Sequence, residues 1–168
     1  MFTAAIVGCG RMGGFIDDEV LDYPAVVLPY SHAAAYAAIP EVNLVAAADI
    51  NEETLLRFQQ RWNVPKVYID YREMISEIKP DIISITTQAT THAEIAIYSA
   101  EHGVKGIYCE KPMACSLVEA EQIKATCESH GVKFNIGTLR RYHPGYEKIR
   151  QLALSGELGE PKVAIYFG

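Results

Sequence analysis

Gly8-Cys9-Gly10-Arg11-Met12-Gly13 decides the fold of this chain, and it directly follows the apolar run 4–7. A second apolar run, 44–48, ends at Asp49. A strand, a glycine turn and a second strand that ends in a carboxylate together form the dinucleotide-binding fingerprint. The pattern predicts a dinucleotide site, and the alternative is a glycine turn at a buried strand end that binds nothing.

Each part of the fingerprint has a physical task. Gly8 allows a tight turn after the first strand, and Gly10 lets the backbone approach a pyrophosphate because it has no Cβ. Gly13 permits a helix to pack closely on the strand. The N-terminus of that helix offers free N–H groups and a positive dipole end to phosphates. Asp49 is expected to accept hydrogen bonds from the hydroxyls of the adenosine ribose.

Composition narrows the class of protein. The chain has 168 residues, of which 49% are hydrophobic, enough for one domain with a real core. Its net charge of −6 and the lack of a basic cluster argue against nucleic acid as a partner. The sequence has neither a signal-peptide pattern nor an apolar run of about 18 residues, the length needed to cross a membrane. Because the four cysteines form no CxxC pair, we expect no metal site, no disulfide and a cytoplasmic location.

Apolar runs alternate with helical patterns, which is typical of a parallel sheet covered by helices on both faces. We therefore predict an α/β fold, a Rossmann-type doubly wound parallel sheet. The predicted strands are 3–7, 43–48, 67–68, 82–86, 106–109 and 133–136. The predicted helices are 32–39, 52–62, 71–78, 91–101, 116–130 and 145–154, and the fifth of these opens with the capping box Ser116-Leu117-Val118-Glu119.

The spacing of the fingerprint is unusual. Asp49 lies 36 residues after Gly13, whereas about 20 is usual. The surplus fits best in 15–31, where Pro29 prevents a continuous helix. This insertion is either a loop near the cofactor or a surface decoration.

The end of the chain departs from the simple pattern. Residues 162–167 have the composition of a strand and follow a turn-rich connector, 156–161. An apolar strand without a neighbour would leave an exposed edge. We therefore expect 1–140 to be the dinucleotide-binding domain, and 141–168 to be a connector helix and the first strand of a C-terminal α/β domain that is missing here.

Glu110-Lys111-Pro112 follows the strand predicted at 106–109, at the edge of the sheet where ligands bind in open α/β folds. A lysine at this edge can hold a substrate hydroxyl through a charge-assisted hydrogen bond. The alternative for the same tripeptide is a surface salt bridge before a proline turn.

These motifs together resemble the Gfo/Idh/MocA family, the relatives of glucose-fructose oxidoreductase and inositol dehydrogenase. The likeness covers nearly the whole chain except 15–31. It is carried by the glycine turn, by His32-Ala33, by the strand that ends at Asp49, by Ile85-Thr86-Thr87, by His92-Ala93-Glu94, by Cys109-Glu110-Lys111-Pro112, by Arg141-Tyr142 with Pro144 and by 155–161.

The resemblance implies an NAD(P)-dependent oxidoreductase that transfers hydride between the nicotinamide cofactor and a sugar, a cyclitol or a related hydroxy compound. It implies that Lys111 is catalytic and that a base from the missing domain takes the proton. A basic residue would be needed after Asp49 to accept a 2′-phosphate, and Ile50 stands there, so NAD is expected rather than NADP. The implied cofactor-binding residues are Gly8, Cys9, Gly10, Arg11, Met12, Gly13, Asp49, Ile50, Thr86, Thr87, His92, Glu110 and Lys111.

Two details of the motifs leave the position of the cofactor and the role of one residue open. Gln88 follows the threonine pair, where the family has a proline after its threonine, and His92 is either close to the cofactor or a helix cap.

The full-length protein is expected to be a homo-oligomer with a small polyol-like substrate. The alternative functions are a non-catalytic NAD-binding sensor or regulatory module, and a related reductase of an imine or a tetrapyrrole.

Overall fold

A computed structural model describes residues 1–23, 26–157, 159–163 and 165. The contacts within the chain divide it into two compact units, 1–137 and 138–168. The first unit carries the sheet, and the described part of the second carries one α-helix of 12 residues.

The first unit is built on six parallel strands in the order β3-β2-β1-β4-β5-β6. This order confirms the predicted Rossmann-type sheet. The strands β2 and β3 lie on one side of β1 and the strands β4 to β6 lie on the other, so the strand order reverses between β1 and β4. The strands are β1 (Phe2–Val7), β2 (Val42–Ala48), β3 (Lys66–Tyr68), β4 (Ile82–Ile85), β5 (Gly106–Cys109) and β6 (Lys133–Ile136).

Helices cover both faces of the sheet, and β1 shows why. Ala4 and Ile6 belong to one buried cluster, while Ala5 and Val7 belong to the other. Alternate residues of a strand point to opposite faces, so a strand buried on both faces is apolar throughout. The helices of this unit are α1 (Asp17–Val20), α2 (His32–Ala37), α3 (Glu52–Trp62), α4 (Tyr71–Ile78), α5 (Ala89–Glu101) and α6 (Leu117–His130).

Most helix boundaries follow from local capping. Asn51 accepts a hydrogen bond from the amide of Thr54 at the start of α3. The predicted capping box is present at α6, where Ser116 and Glu119 accept each other's backbone N–H. None of the described helices combines the length and the apolar character that a membrane span requires.

The helix after the glycine turn differs from the expectation. Arg11–Phe15 forms one wide π-type turn instead of a regular helix, and the four-residue α1 follows it. Trp62 gives a physical reason, because its indole N–H donates to the carbonyl of Gly14 at 3.1 Å. A Cβ on Gly14 would lie 2.4 Å from that indole nitrogen, so α3 packs directly against the backbone here.

A buried carboxylate holds the two ends of the insertion together. The buried carboxylate of Asp17 accepts from the amides of Tyr30 and Ser31, at 2.8 and 3.2 Å, and so ties together the two ends of the insertion. Burial raises the pKa of Asp17, but the bonds from Ser31 and the amides outweigh burial and leave it lowered. Pro24 and Ala25 lie outside the described residues.

The second unit contains a short 3₁₀ turn, Leu139–Tyr142, and the helix α7 (Pro144–Ser155). The side chain of His143 caps α7 by accepting from the amide of Gly145. The strand expected at 162–167 falls partly on Ala164, Tyr166 and Phe167, which lie outside the described residues. Lys162 and Val163 are exposed and belong to no strand of the part that is described.

Candidate functional site

A cavity of about 700 Å³ opens at the carboxyl ends of β1, β2 and β4. Its walls are the glycine turn, the Asp49-Ile50 pair after β2 and the segment that joins β4 to α5. In open α/β sheets this edge, at the point where the strand order reverses, is where ligands bind. Seven of the thirteen expected cofactor-binding residues line the cavity: Gly8, Gly10, Arg11, Asp49, Ile50, Thr86 and Thr87.

The three glycines of the turn have different surroundings. Gly8 has a φ of +95°, and a Cβ there would lie 2.8 Å from the backbone of Thr86. A Cβ on Gly13 would lie 2.3 Å from the carbonyl oxygen of Gly8. A Cβ on Gly10, in contrast, would meet no atom within 4 Å. The fold itself requires Gly8 and Gly13, while Gly10 leaves free space beside the cavity.

The carboxylate of Asp49 is held by hydrogen bonds from the glycine turn and from the residue that caps α3. One carboxylate oxygen accepts from the amide of Cys9 at 2.7 Å, and the other accepts from the amide of Asn51 at 2.8 Å. Each oxygen of an ionised carboxylate can accept more than one hydrogen bond. Asp49 can therefore hold the glycine turn and still accept from the hydroxyls of a ligand in the cavity.

Cys9 and Met12 do not line the cavity. The Cys9 side chain is buried, and its thiol lies 3.7 Å from the carbonyl oxygen of Ala48. Burial, together with the nearby Asp49 charge, raises the pKa of this thiol, which disfavours the reactive thiolate. Met12 is half-buried within the wide turn.

Arg11 is the cation among the described residues that line the cavity, and two carboxylates, Asp49 and Glu94, line it as well. The guanidinium Nε of Arg11 donates to Glu19 of α1 at 2.7 Å. The insertion thus contacts a residue of the cavity wall, although both side chains of this pair are largely exposed.

The two threonines after β4 serve different purposes. The Thr86 hydroxyl donates to the carbonyl of Gly8, and at 3.2 Å also to that of Val7. It therefore braces the glycine turn. The Thr87 hydroxyl accepts from Thr91 at 2.9 Å at the start of α5.

His92 is buried beneath this segment and does not line the cavity. Its Nδ1 lies 2.8 Å from the carbonyl oxygen of Pro112, and its Nε2 lies 3.0 Å from that of Thr87. The ring therefore joins the segment after β4 to the segment after β5.

Glu110 and Lys111 also lie outside the lining of the cavity. Glu110 is buried, and its carboxylate contacts His32 at 3.1 Å and accepts from the amide of Lys111 at 3.2 Å. Burial raises the pKa of Glu110, but the bond and charge of His32, the Lys111 amide and the Lys111 charge outweigh burial and lower it. Lys111 is exposed, and its ammonium forms no salt bridge with any described residue.

The sequence reasoning assigned no role to the partners of Glu110. His32 Nδ1 lies 2.9 Å from the hydroxyl of Ser84, which lies 2.7 Å from the hydroxyl of Tyr36. All are buried. A serine inside the apolar strand β4 is the one local signal of such a network, since a buried hydroxyl needs a partner.

Comparison with known proteins agrees with this geometry. A family model described as an oxidoreductase family with an NAD-binding Rossmann fold matches residues 2–138. An uncharacterised oxidoreductase of Bacillus subtilis is 28% identical over 159 residues. A myo-inositol 2-dehydrogenase of Thermotoga maritima is 26% identical over 158 residues, which are 94% of this chain and 42% of the relative.

Solved structures show the same fold. A myo-inositol 2-dehydrogenase from Lactobacillus plantarum superposes with a TM-score of 0.75 at 26% identity, over 94% of this chain and 42% of that protein. A scyllo-inositol dehydrogenase from Lactobacillus casei, solved with NAD(H) and scyllo-inositol, has a TM-score of 0.79 at 23% identity. The chain spans about two fifths of the length of these relatives. With the strand order, the glycine turn and the family match in agreement, the chain belongs to the Gfo/Idh/MocA oxidoreductase family and has its NAD-binding Rossmann fold.

Proposed function

We propose that this chain is the cofactor-binding part of an NAD-dependent dehydrogenase that acts on a hydroxyl of a sugar, a cyclitol or a related polyol. The observation that carries the proposal is the open space beside Gly10, in a cavity that Asp49 also lines. A glycine whose Cβ would touch no protein atom, at the expected pyrophosphate position, is best explained by a ligand that approaches the backbone closely.

The residues of the cavity fit NAD. The first amides of the turn at Arg11–Phe15 have no partner within their own helical turn and are available to phosphate oxygens. The free lone pairs of the Asp49 carboxylate suit the hydroxyls of the adenosine ribose. Two carboxylates and one guanidinium, itself paired with Glu19, make the cavity unfavourable for an additional 2′-phosphate.

Lys111 is the catalytic residue of this proposal. Its ammonium, with no salt-bridge partner among the described residues, is available to donate to the hydroxyl that reacts and to stabilise negative charge on the oxygen. NAD, when bound, supplies the hydride acceptor. The relatives are more than twice as long as this chain, and we assign the base that takes the proton to the additional part of such an enzyme.

The selectivity of the cavity provides the test. Asp49→Ser combined with Ile50→Arg should increase the affinity for NADP relative to NAD by about tenfold or more, equivalent to about 1.4 kcal/mol. The physical reason is that the repelling carboxylate is removed and a cation takes its place. Calorimetric titration with both nucleotides measures the ratio.

Ile50→Arg alone is the matched control. Ile50 is 91% exposed, so this substitution should not change the stability of the fold. It should also raise NADP affinity by less than the double variant does, because Asp49 is retained. An unchanged NAD/NADP ratio in the double variant, with the fold intact, would contradict the assignment of Asp49 to the ribose.

A further inference from the structure

A chain of buried polar groups runs from α2 to the backbone of Lys111. The Tyr36 hydroxyl contacts that of Ser84 at 2.7 Å, and the Ser84 hydroxyl contacts His32 Nδ1 at 2.9 Å. His32 Nε2 then contacts Glu110 Oε1 at 3.1 Å, and Glu110 Oε2 accepts from the Lys111 amide at 3.2 Å. The four side chains that form the chain are at most 8% exposed.

When Glu110 is ionised, one arrangement of donors and acceptors satisfies every group without a charge on His32. A carboxylate only accepts, so His32 must carry a proton on Nε2. In the neutral ring Nδ1 then accepts from Ser84, whose oxygen accepts from Tyr36. Every group is satisfied without a second buried charge, and hydrogen bonds aligned in this way strengthen one another. The hydrogen bonds from His32 and from the Lys111 amide both lower the pKa of Glu110, in agreement with the ionised form.

We propose that His32 is a positioning residue, which orients the Glu110 carboxylate and thereby fixes the backbone of Lys111. The proposal rests on the proposed function in one respect, the catalytic role of Lys111. Glu110 does not line the cavity, so its carboxylate is placed to act on the segment that carries Lys111 and not on the nucleotide.

Two further contacts restrict the same segment. A Cβ on Gly137 would lie 3.1 Å from Glu110 Oε1, so the backbone after β6 lies beside the carboxylate and a larger residue there would crowd it. On the other side of Lys111, the carbonyl of Pro112 contacts the buried ring of His92. Lys111 is thus flanked by two residues, each of which contacts a buried histidine.

Two substitutions of His32 separate positioning from simple loss of a buried ring. The amide of Gln reaches the position of His Nε2 and can still donate to Glu110, whereas the amide of Asn reaches only the position of Nδ1. His32→Asn should accelerate hydrogen exchange of the Lys111 amide by about tenfold or more, as expected when a hydrogen bond to a charged group is lost. His32→Gln should restore most of the protection. The amide of Ile85 in β4 serves as the internal reference in both variants.

The wild-type chain provides a second measurement that requires no variant. Long-range ¹H–¹⁵N NMR spectra of His32 should show the neutral ring with its proton on Nε2. A proton on Nδ1 alone would overturn the proposal, and so would Lys111 amide exchange that is unchanged in a folded His32→Asn variant. If His32→Asn does not fold, the ring protonation in the wild type decides.

Titration with NAD distinguishes this proposal from the proposed function. His32 does not line the cavity, so folded His32 variants should bind NAD as the wild type does. If the wild type fails to bind NAD, the proposed function falls, while the exchange rate of Lys111 still decides whether His32 positions it.

Discussion

At the scale of single residues, the glycine turn separates the requirements of the fold from those of the ligand. Gly13 has the carbonyl of Gly8 where its side chain would be, so the turn cannot accommodate another residue there. Gly10 has open space and a φ of −79°, which lies outside the left-handed region that favours glycine. The sequence motif assigns Gly10 to the pyrophosphate and Gly13 to close packing, and the atoms around each glycine fit this division.

Gly10→Ala should therefore weaken NAD binding by about tenfold or more, about 1.4 kcal/mol, and leave the unfolding midpoint nearly unchanged. The added methyl group would occupy the space that the pyrophosphate needs, while it touches no protein atom. Calorimetry and urea denaturation measure the two quantities.

Gly106→Ala is the control for this substitution. It lies at the start of β5, the opposite edge of the sheet, and its Cβ would make ordinary contacts, the nearest at 3.8 Å. This variant should bind NAD normally. Equal NAD affinity in Gly10→Ala and the wild type would show that no ligand approaches the backbone at Gly10.

At the scale of elements, the local sequence predicted the strands and helices whose positions depend on strand composition and on helix caps. Nearly every predicted strand and helix begins and ends within two residues of the observed one. The signals were runs of Val, Ile and Ala for the strands and capping residues such as Ser116 for the helices. The wide turn at Arg11–Phe15 was missed, and the side chain that packs on it, Trp62, is far along the chain. The pairing of β1 with β4 also includes a contact between residues that are far apart in the sequence, Thr3 and Asp81.

Asp81 joins three strands at the edge opposite the cavity. Its carboxylate accepts from the amide and hydroxyl of Thr3 near the start of β1, at 2.9 and 3.0 Å, and from Lys105 before β5, at 2.6 Å. The bond from Lys105 and those from Thr3 lower the pKa of Asp81 from 3.8 to about 2. A carboxyl with a lowered folded-state pKa contributes stability above its unfolded pKa, and that stability is lost as the pH falls through the folded value.

Asp81→Asn should therefore lower the free energy of unfolding near neutral pH, and its difference from the wild type should shrink between about pH 4 and about pH 2. Urea denaturation at several pH values measures the difference. Glu121→Gln, which alters an exposed carboxyl without a salt bridge among the described residues, should be nearly neutral throughout. A constant difference between Asp81→Asn and the wild type across this pH range would argue against a stabilising role for the ionised Asp81 carboxylate.

At the scale of the whole molecule, the sheet order brings residues from distant parts of the chain to one edge. The sequence motifs predicted the fold class, and the resemblance named lining residues after β1, β2 and β4. The buried path from Tyr36 to Glu110 was not predicted, because its four members come from α2, β4 and the end of β5 and share no spacing pattern. Tertiary contacts of this kind appear only when the strands are placed side by side.

Calorimetric titration of the wild-type chain with NAD and with NADP tests most directly whether the cavity at the carboxyl ends of β1, β2 and β4 is a nicotinamide-nucleotide site. The expected result is saturable binding of NAD with one site per chain and weaker binding of NADP. No heat of binding with either nucleotide at millimolar concentration, from a chain that is folded, would contradict that assignment.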